Sequence, residues 1–132
     1  MTEKAIKVTS DLQITIQEIE VKNGSMLKGL QEIVGGCIEI VHPRRLERPL
    51  LMVVNDEGLL CGLPVNPIGS YLYGMDQHGH PILGDIAILQ EGFRDGEPDV
   101  LGLSDEDAED IARQLNEAFR PLKEARAHAV LS

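Results

Sequence analysis

Tryptophan is missing from this chain of 132 residues, and aromatic residues make up only 3% of it. A core must therefore be built from Leu, Ile and Val, and the few aromatics, Tyr71, Tyr73, Phe93 and Phe119, stand out. Basic residues are scarce. Twelve Lys and Arg against 22 Asp and Glu give a net charge of −10 and a pI near 4.7. Broad contact with nucleic-acid phosphates needs a basic face, so direct nucleic-acid binding is not expected. The same excess leaves room for an acidic protein that imitates DNA and occupies a DNA-binding protein. Cysteine is limited to Cys37 and Cys61, without a Cys-x-x-Cys. A domain of this size needs no disulfide, and the two are expected as reduced, buried thiols. The opening Met1-Thr2-Glu3-Lys4 has no apolar signal core. No run approaches the ~20 apolar residues of a membrane span. A cytoplasmic protein without membrane contact is expected. No Gly-x-Gly-x-x-Gly, P-loop, Ser-His-Asp or Cys-His arrangement occurs at a recognisable spacing, so the expectation is a non-enzyme with no cofactor.

A single α+β domain over residues 1–132 fits the length and the pattern of elements. Leu12, Ile14 and Ile16 alternate with polar residues as in a half-buried strand. Ile19 and Val21 take the opposite phase, which predicts a bulge near Gln17-Glu18. Asn23-Gly24-Ser25 breaks the strand and can cap a helix carrying Met26, Leu27, Leu30, Ile33 and Val34, ended by Gly35-Gly36. Cys37–Val41 and Leu50–Val54 read as strands of a hairpin joined by a long basic loop from His42 to Pro49. A short helix near 67–73 follows, then a third apolar strand from Ile82 to Leu89, interrupted at Gly84-Asp85. Gly92 to Gly102 reads as irregular. Ser104 opens a long C-terminal helical segment, 104–130, with Ile111, Leu115, Phe119 and Leu122 as its buried stripe. Pro121 must kink or split it. The architecture expected is a small, mostly antiparallel sheet with helices packed on it.

Three of the seven arginines, Arg44, Arg45 and Arg48, fall within five residues beside His42. Such a local excess can hold an anion, because guanidinium forks match phosphate geometry. The competing reading is a solvated loop. Asn55 and Asn66 can read polar ligand edges, or can serve the turn at Asp56-Glu57-Gly58 and cap the short helix. Tyr71 and Tyr73 can stack on a base or belong to the core. His78-Gly79-His80 with Asp76 and Asp85 lacks a third spaced ligand, and no metal is expected. The segment from Asp95 to Asp110 holds eight carboxylates and no Lys or Arg. It reads as a helix start with a solvated face, or as a phosphate-like surface.

Val34-Gly35-Gly36-Cys37-Ile38-Glu39, Asn55-Asp56-Glu57-Gly58, Gly62-Leu63-Pro64-Val65-Asn66 and Ile82-Leu83-Gly84-Asp85-Ile86 together resemble one small family. It is a domain of unknown function (family 3846) common in phages, prophages and mobile elements. The resemblance covers about residues 25–90. The family pattern is similar to Asn-Glu-x-Gly. Here the acidic residue is displaced or the turn lengthened, so no role passes to Glu57. The resemblance implies a fold and a genetic setting rather than a mechanism. By analogy of size and lack of catalytic apparatus with anti-Thoeris sponges, it implies an oligomeric anti-defence protein that sequesters a nucleotide-derived signal. In that reading Arg44, Arg45 and Arg48 hold phosphates, Asn55 and Asn66 read polar edges, and Tyr71 or Tyr73 stacks on a base. The alternative is an acidic protein–protein inhibitor or DNA mimic.

Overall fold

Ala5, Ile6 and Val8 are fully buried in a first strand, β1 (Thr2–Val8), additional to the strands expected from sequence. The computed structural model describes residues 1–75 and 79–131, the side chains of 129–131 excepted. β2 (Ile14–Glu20) returns antiparallel to β1 in unbroken register from Thr2↔Glu20 to Val8↔Ile14, so the expected bulge at Gln17-Glu18 is absent. The change of phase has another cause. Successive side chains of a strand point to opposite faces. Ile14 belongs to one hydrophobic cluster and Ile19 to a second, because the sheet is covered on both sides.

The other strands are β3 (Ile38–Val41), β4 (Leu50–Asn55), β5 (Ile86–Arg94) and β6 (Glu97–Leu101). They form one sheet in the order β2-β1-β5-β4-β3, with β6 on β5 and every pairing antiparallel. Ile88 pairs with Ile6 on one side and Met52 on the other, and Gln90 pairs with Leu50 and Leu101. β6 therefore takes over, further along, the edge of β5 that β1 holds first. β6 corrects the expectation of irregular chain from Gly92 to Gly102. Asp95 and Gly96, at φ of 53° and 81°, make the two-residue turn that favours a tight hairpin. Arg94 clamps this junction, 2.9 Å from Asp99 and 3.3 Å from Glu3. The Glu3 hydrogen bond pushes its pKa further above the usual guanidinium value.

Helix α1 (Leu27–Val34) lays Leu30 and Val34 on Ala5, Leu51, Val53, Ala87 and Leu89. Asn23 and Gly24, both at positive φ, form a tight turn rather than a cap, and the Oγ of Ser25 accepts from the Leu27 N–H. Gly35 ends the helix in the left-handed conformation. Across the sheet, α2 (Pro67–Tyr73) and α3 (Asp105–Ala118) bury Ile68, Leu72, Ala108, Ala112 and Leu115 against Ile6, Met52, Ile86 and Ile88. Each fully buried Ile or Leu contributes about 1.5–3 kcal/mol. The exposed ion pairs contribute about 0–1 kcal/mol each, so the two apolar layers dominate.

Ser104 caps α3 by accepting from the Asp107 N–H. Pro121 splits the helical segment, and α4 (Arg120–Leu131) begins beside it, in the first turn where a proline costs no hydrogen bond. The stripe of α3 runs through Leu115 and Phe119 but not to Leu122, which is 40% exposed because the axis changes at the split. Cys37 and Cys61 are free but exposed, correcting the buried thiols expected. Both lie in turn-rich chain outside the two apolar layers. Among the described residues, no helix is long and apolar enough to cross a membrane.

Candidate functional site

The four segments that carried the resemblance meet at the β4 end of the sheet. Asn55 is buried; its amide donates to the Val34 carbonyl at 3.0 Å and its oxygen accepts from the Glu57 N–H at 2.7 Å. Gly36 lies so close that an added Cβ would sit 3.0 Å from the Asn55 amide nitrogen. Asn66 has no exposed surface. Its amide donates to the carbonyls of Val8 and Gly84, and its oxygen accepts from the Gly69 N–H to cap α2. Gly58 packs on Leu83 and Gly84 on Leu63. Both asparagines are thus engaged in joining loops to strands. A pocket of about 310 Å³ opens over this knot, with Glu39, Asp56, Tyr73 and His80 on its wall. Tyr73 is half-buried against the α2–α3 core. Asp76 and His78 of the histidine-rich loop lie outside the described residues. Among the described residues, no group of three His, Cys, Asp or Glu is placed to hold a metal ion.

The basic loop does not converge on one point. The Arg45 backbone N–H donates to the Leu72 carbonyl and its guanidinium to the Tyr71 carbonyl, at 2.6 Å. The guanidinium also lies over the Tyr71 ring, 4.2 Å from its centroid, and that ring meets Phe119 edge-on at 5.8 Å. Arg44 packs against Gly74, which ends α2 in the left-handed conformation. Arg45 therefore serves the C-terminus of α2, where exposed carbonyls and the helix dipole favour a cation, and the aliphatic stem of Arg44 lies beside it. Tyr71 is 53% exposed but carries the Arg45 guanidinium against its ring.

Arg48 points elsewhere. It stands on the α1 face of the sheet, in a trough of about 580 Å³ that α1 leaves uncovered. Ile40, Leu51, Phe93, Pro98 and Val100 form the floor and walls. Phe93 is 72% exposed, unusual for the only Phe on the sheet of an aromatic-poor chain. On the rim, Arg48 Nη1 and His42 Nε2 each lie 3.3 Å from one oxygen of Glu91. A volume of this size is typical of small-molecule sites, which combine an apolar floor with a few polar groups. The trough continues toward α1 as a cleft of about 440 Å³ bounded by Leu27, Leu30 and Ile38. Of the seven residues the sequence singled out, the trough contains Arg48. It adds His42, Glu91, Phe93 and Ile40.

Comparison with known proteins gives a family model, described as domain of unknown function (DUF3846), that matches residues 1–116. The match is wider than the 25–90 of the sequence resemblance and takes in most of α3. No curated protein and no solved structure matches.

Proposed function

This chain belongs to the DUF3846 family, and we propose that it is a non-catalytic binding module whose sheet trough holds a nucleotide-derived anion. The observation that carries the reading is Phe93, exposed in an apolar trough with Arg48 and His42 on the rim. A planar base stacks on Phe93 while phosphate oxygens meet Arg48 and His42. Glu91 already partners both Arg48 and His42, and the balance of energies decides whether a ligand displaces it. Exposed ion pairs contribute about 0–1 kcal/mol, whereas stacking of a base on an aromatic side chain contributes about 1–3 kcal/mol. A phosphate able to bond Arg48 bidentately adds to the second figure. The finer reading, an anti-defence sponge of phage or mobile-element origin that withholds an immune nucleotide, is supported by the sequence resemblance and by a site that offers recognition groups.

Native mass spectrometry of the protein, alone and mixed with cyclic oligonucleotides and cyclised ADP-ribose species, tests this reading. A discrete ligand mass, recovered intact on denaturation, is expected. Phe93→Ala and Arg48→Ala should each weaken binding about 10- to 100-fold, equivalent to roughly 1.4–2.7 kcal/mol. Affinity unchanged in both variants would remove the trough from consideration. Arg44→Ala with Arg45→Ala is less informative, because Arg45 also holds the end of α2.

A second reading draws on α3. Asp105, Glu106, Asp107, Glu109 and Asp110 are all exposed there. Among the described residues, Lys4 and Arg113 form ion pairs with members of this row, at Asp105 and Asp110. Such a row suits an acidic inhibitor of a DNA-binding protein. Reversing the charge at Asp105, Glu106 and Glu109 should then abolish inhibition of a partner, with no nucleotide bound by the parent protein. Inhibition surviving the reversals would sink it.

A further inference from the structure

The two outer strands of the β2-β1-β5-β4-β3 order are built differently. β2, at one edge, shows solvent Thr15, Gln17, Glu18 and Glu20 around a single exposed Ile16, a mostly polar dress that discourages edge-to-edge pairing. β3, at the other edge, shows Ile40, 43% exposed, beside the open trough with Phe93. The Asp56 N–H donates to the Cys37 carbonyl, which fixes the alternation of the β3–β4 ladder. Glu39 and Val41 then turn their backbone groups toward β4, and Ile38, Ile40 and His42 turn theirs outward. Among the described residues, no backbone hydrogen bond meets these outward groups.

We propose that two copies of this chain join through β3, antiparallel and two-fold, into one continuous sheet. The strand's own sequence selects the register. Pairing Ile40 with its counterpart puts isoleucine on isoleucine at the axis, on the trough face. It sets Ile38 opposite His42 and Glu39 opposite Val41. Sliding two residues so that Ile38 meets Ile40 places Glu39 against Glu39, and like charges directly opposed are destabilising. Sliding the other way, so that Ile40 meets His42, sets Ile38 opposite Arg44, which lies in the turn beyond Pro43 and outside the strand, and so shortens the ladder. Charge agrees with this occupant. The net −10 would oppose self-association, but the acidic α3 packs on β1 and β2, away from β3. The loop next to β3 is the basic one, with Arg44, Arg45 and Arg48. The joint also brings the two troughs side by side on one face. It does not depend on what they bind.

Sedimentation analysis combined with amide hydrogen exchange tests the joint. The parent protein should be a dimer, with the amides of Ile38, Ile40 and His42 protected as well as those of Glu39 and Val41. Ile40→Pro removes only an outward N–H, and Ile40→Lys sets two cations together at the axis. Both should be monomers with unchanged circular dichroism, and Ile40→Leu should remain a dimer. A monomeric parent overturns the proposal, and so does a dimer whose Ile38 and Ile40 amides exchange freely. A dimer that binds no nucleotide would count against the trough reading alone, and a monomer that binds one would count against this joint alone.

Discussion

Asn66→Ala should remove on the order of 3–5 kcal/mol of stability, from a total expected at roughly 5–15 kcal/mol. The side chain is wholly buried and makes three hydrogen bonds, two to the carbonyls of Val8 and Gly84 and one from the Gly69 N–H. Alanine leaves all three backbone groups in a dry interior, at about 1–3 kcal/mol for each that finds no water. The loss of the α2 cap alone accounts for about 1 kcal/mol. Asn66→Asp separates these contributions. It keeps the oxygen that faces Gly69 but turns a carboxylate toward two carbonyl oxygens, and should be at least as damaging as alanine. Urea unfolding measures both, as a lower midpoint with an unchanged slope. If Asn66→Asp folds as stably as the parent, capping is the dominant role of the residue.

The second large effect concerns a glycine where helix propensity argues for alanine. Gly29 lies inside α1, and alanine there would ordinarily add about 1 kcal/mol. An added Cβ, however, would stand 2.5 Å from Ile19 Cγ2, on a side chain branched at Cβ and unable to swing away. Gly29→Ala should therefore destabilise by about 1–3 kcal/mol, the usual range for overpacking. Ile19→Ala should cost about 2–4 kcal/mol through the cavity it opens. Combined, the two substitutions should cost less than their sum by about 1–2 kcal/mol, because each relieves the other. Strict additivity in a chemical-denaturation cycle would mean that α1 does not press on β2 as described. By contrast, Ile16→Ala, on a residue 37% exposed, should change stability by less than ~1 kcal/mol.

The same pair of residues shows what the sequence disclosed and what it hid. The α+β class, α1, the β3–β4 hairpin, α2 with its Asn66 cap and the Ser104 start of α3 were all legible, because each has a local signal in periodicity or capping. The phase change between Ile14 and Ile19 was also visible, but a single strand with two buried faces and a bulged strand with one produce the same pattern. Only the partners on each side distinguish them. β1 was missed because Lys4 and Lys7 interrupt its buried residues, which rely on β5 about eighty positions away. β6 had a local signal after all, the Asp95-Gly96 pair, obscured by Pro98 and a run of acids. Missing that hairpin also hid the trough. Phe93 stands opposite Pro98 on the α1 face of β5 and β6, whereas an irregular chain gives it no place. The three arginines are neighbours in sequence, but spacing cannot tell a helix end from an anion site, and Arg44 and Arg45 lie at the end of α2 while Arg48 lies at the trough.

The placement of β1 against β5 has a consequence during synthesis. The β1–β2 hairpin is made early, while the strand that must adjoin it follows after α1, β3, β4 and α2. At about 5–20 residues per second, the delay is on the order of seconds. A lone two-stranded hairpin is marginal in water, and this one carries apolar residues on both faces. In that interval α1 can already cover Ile19, but Ile6, Val8 and Ile14 lack α3, which is made only after β5. The emerging chain is then most open to capture by chaperones and to aggregation, and a pause placed before β5 would lengthen that exposure without altering a single contact of the finished fold.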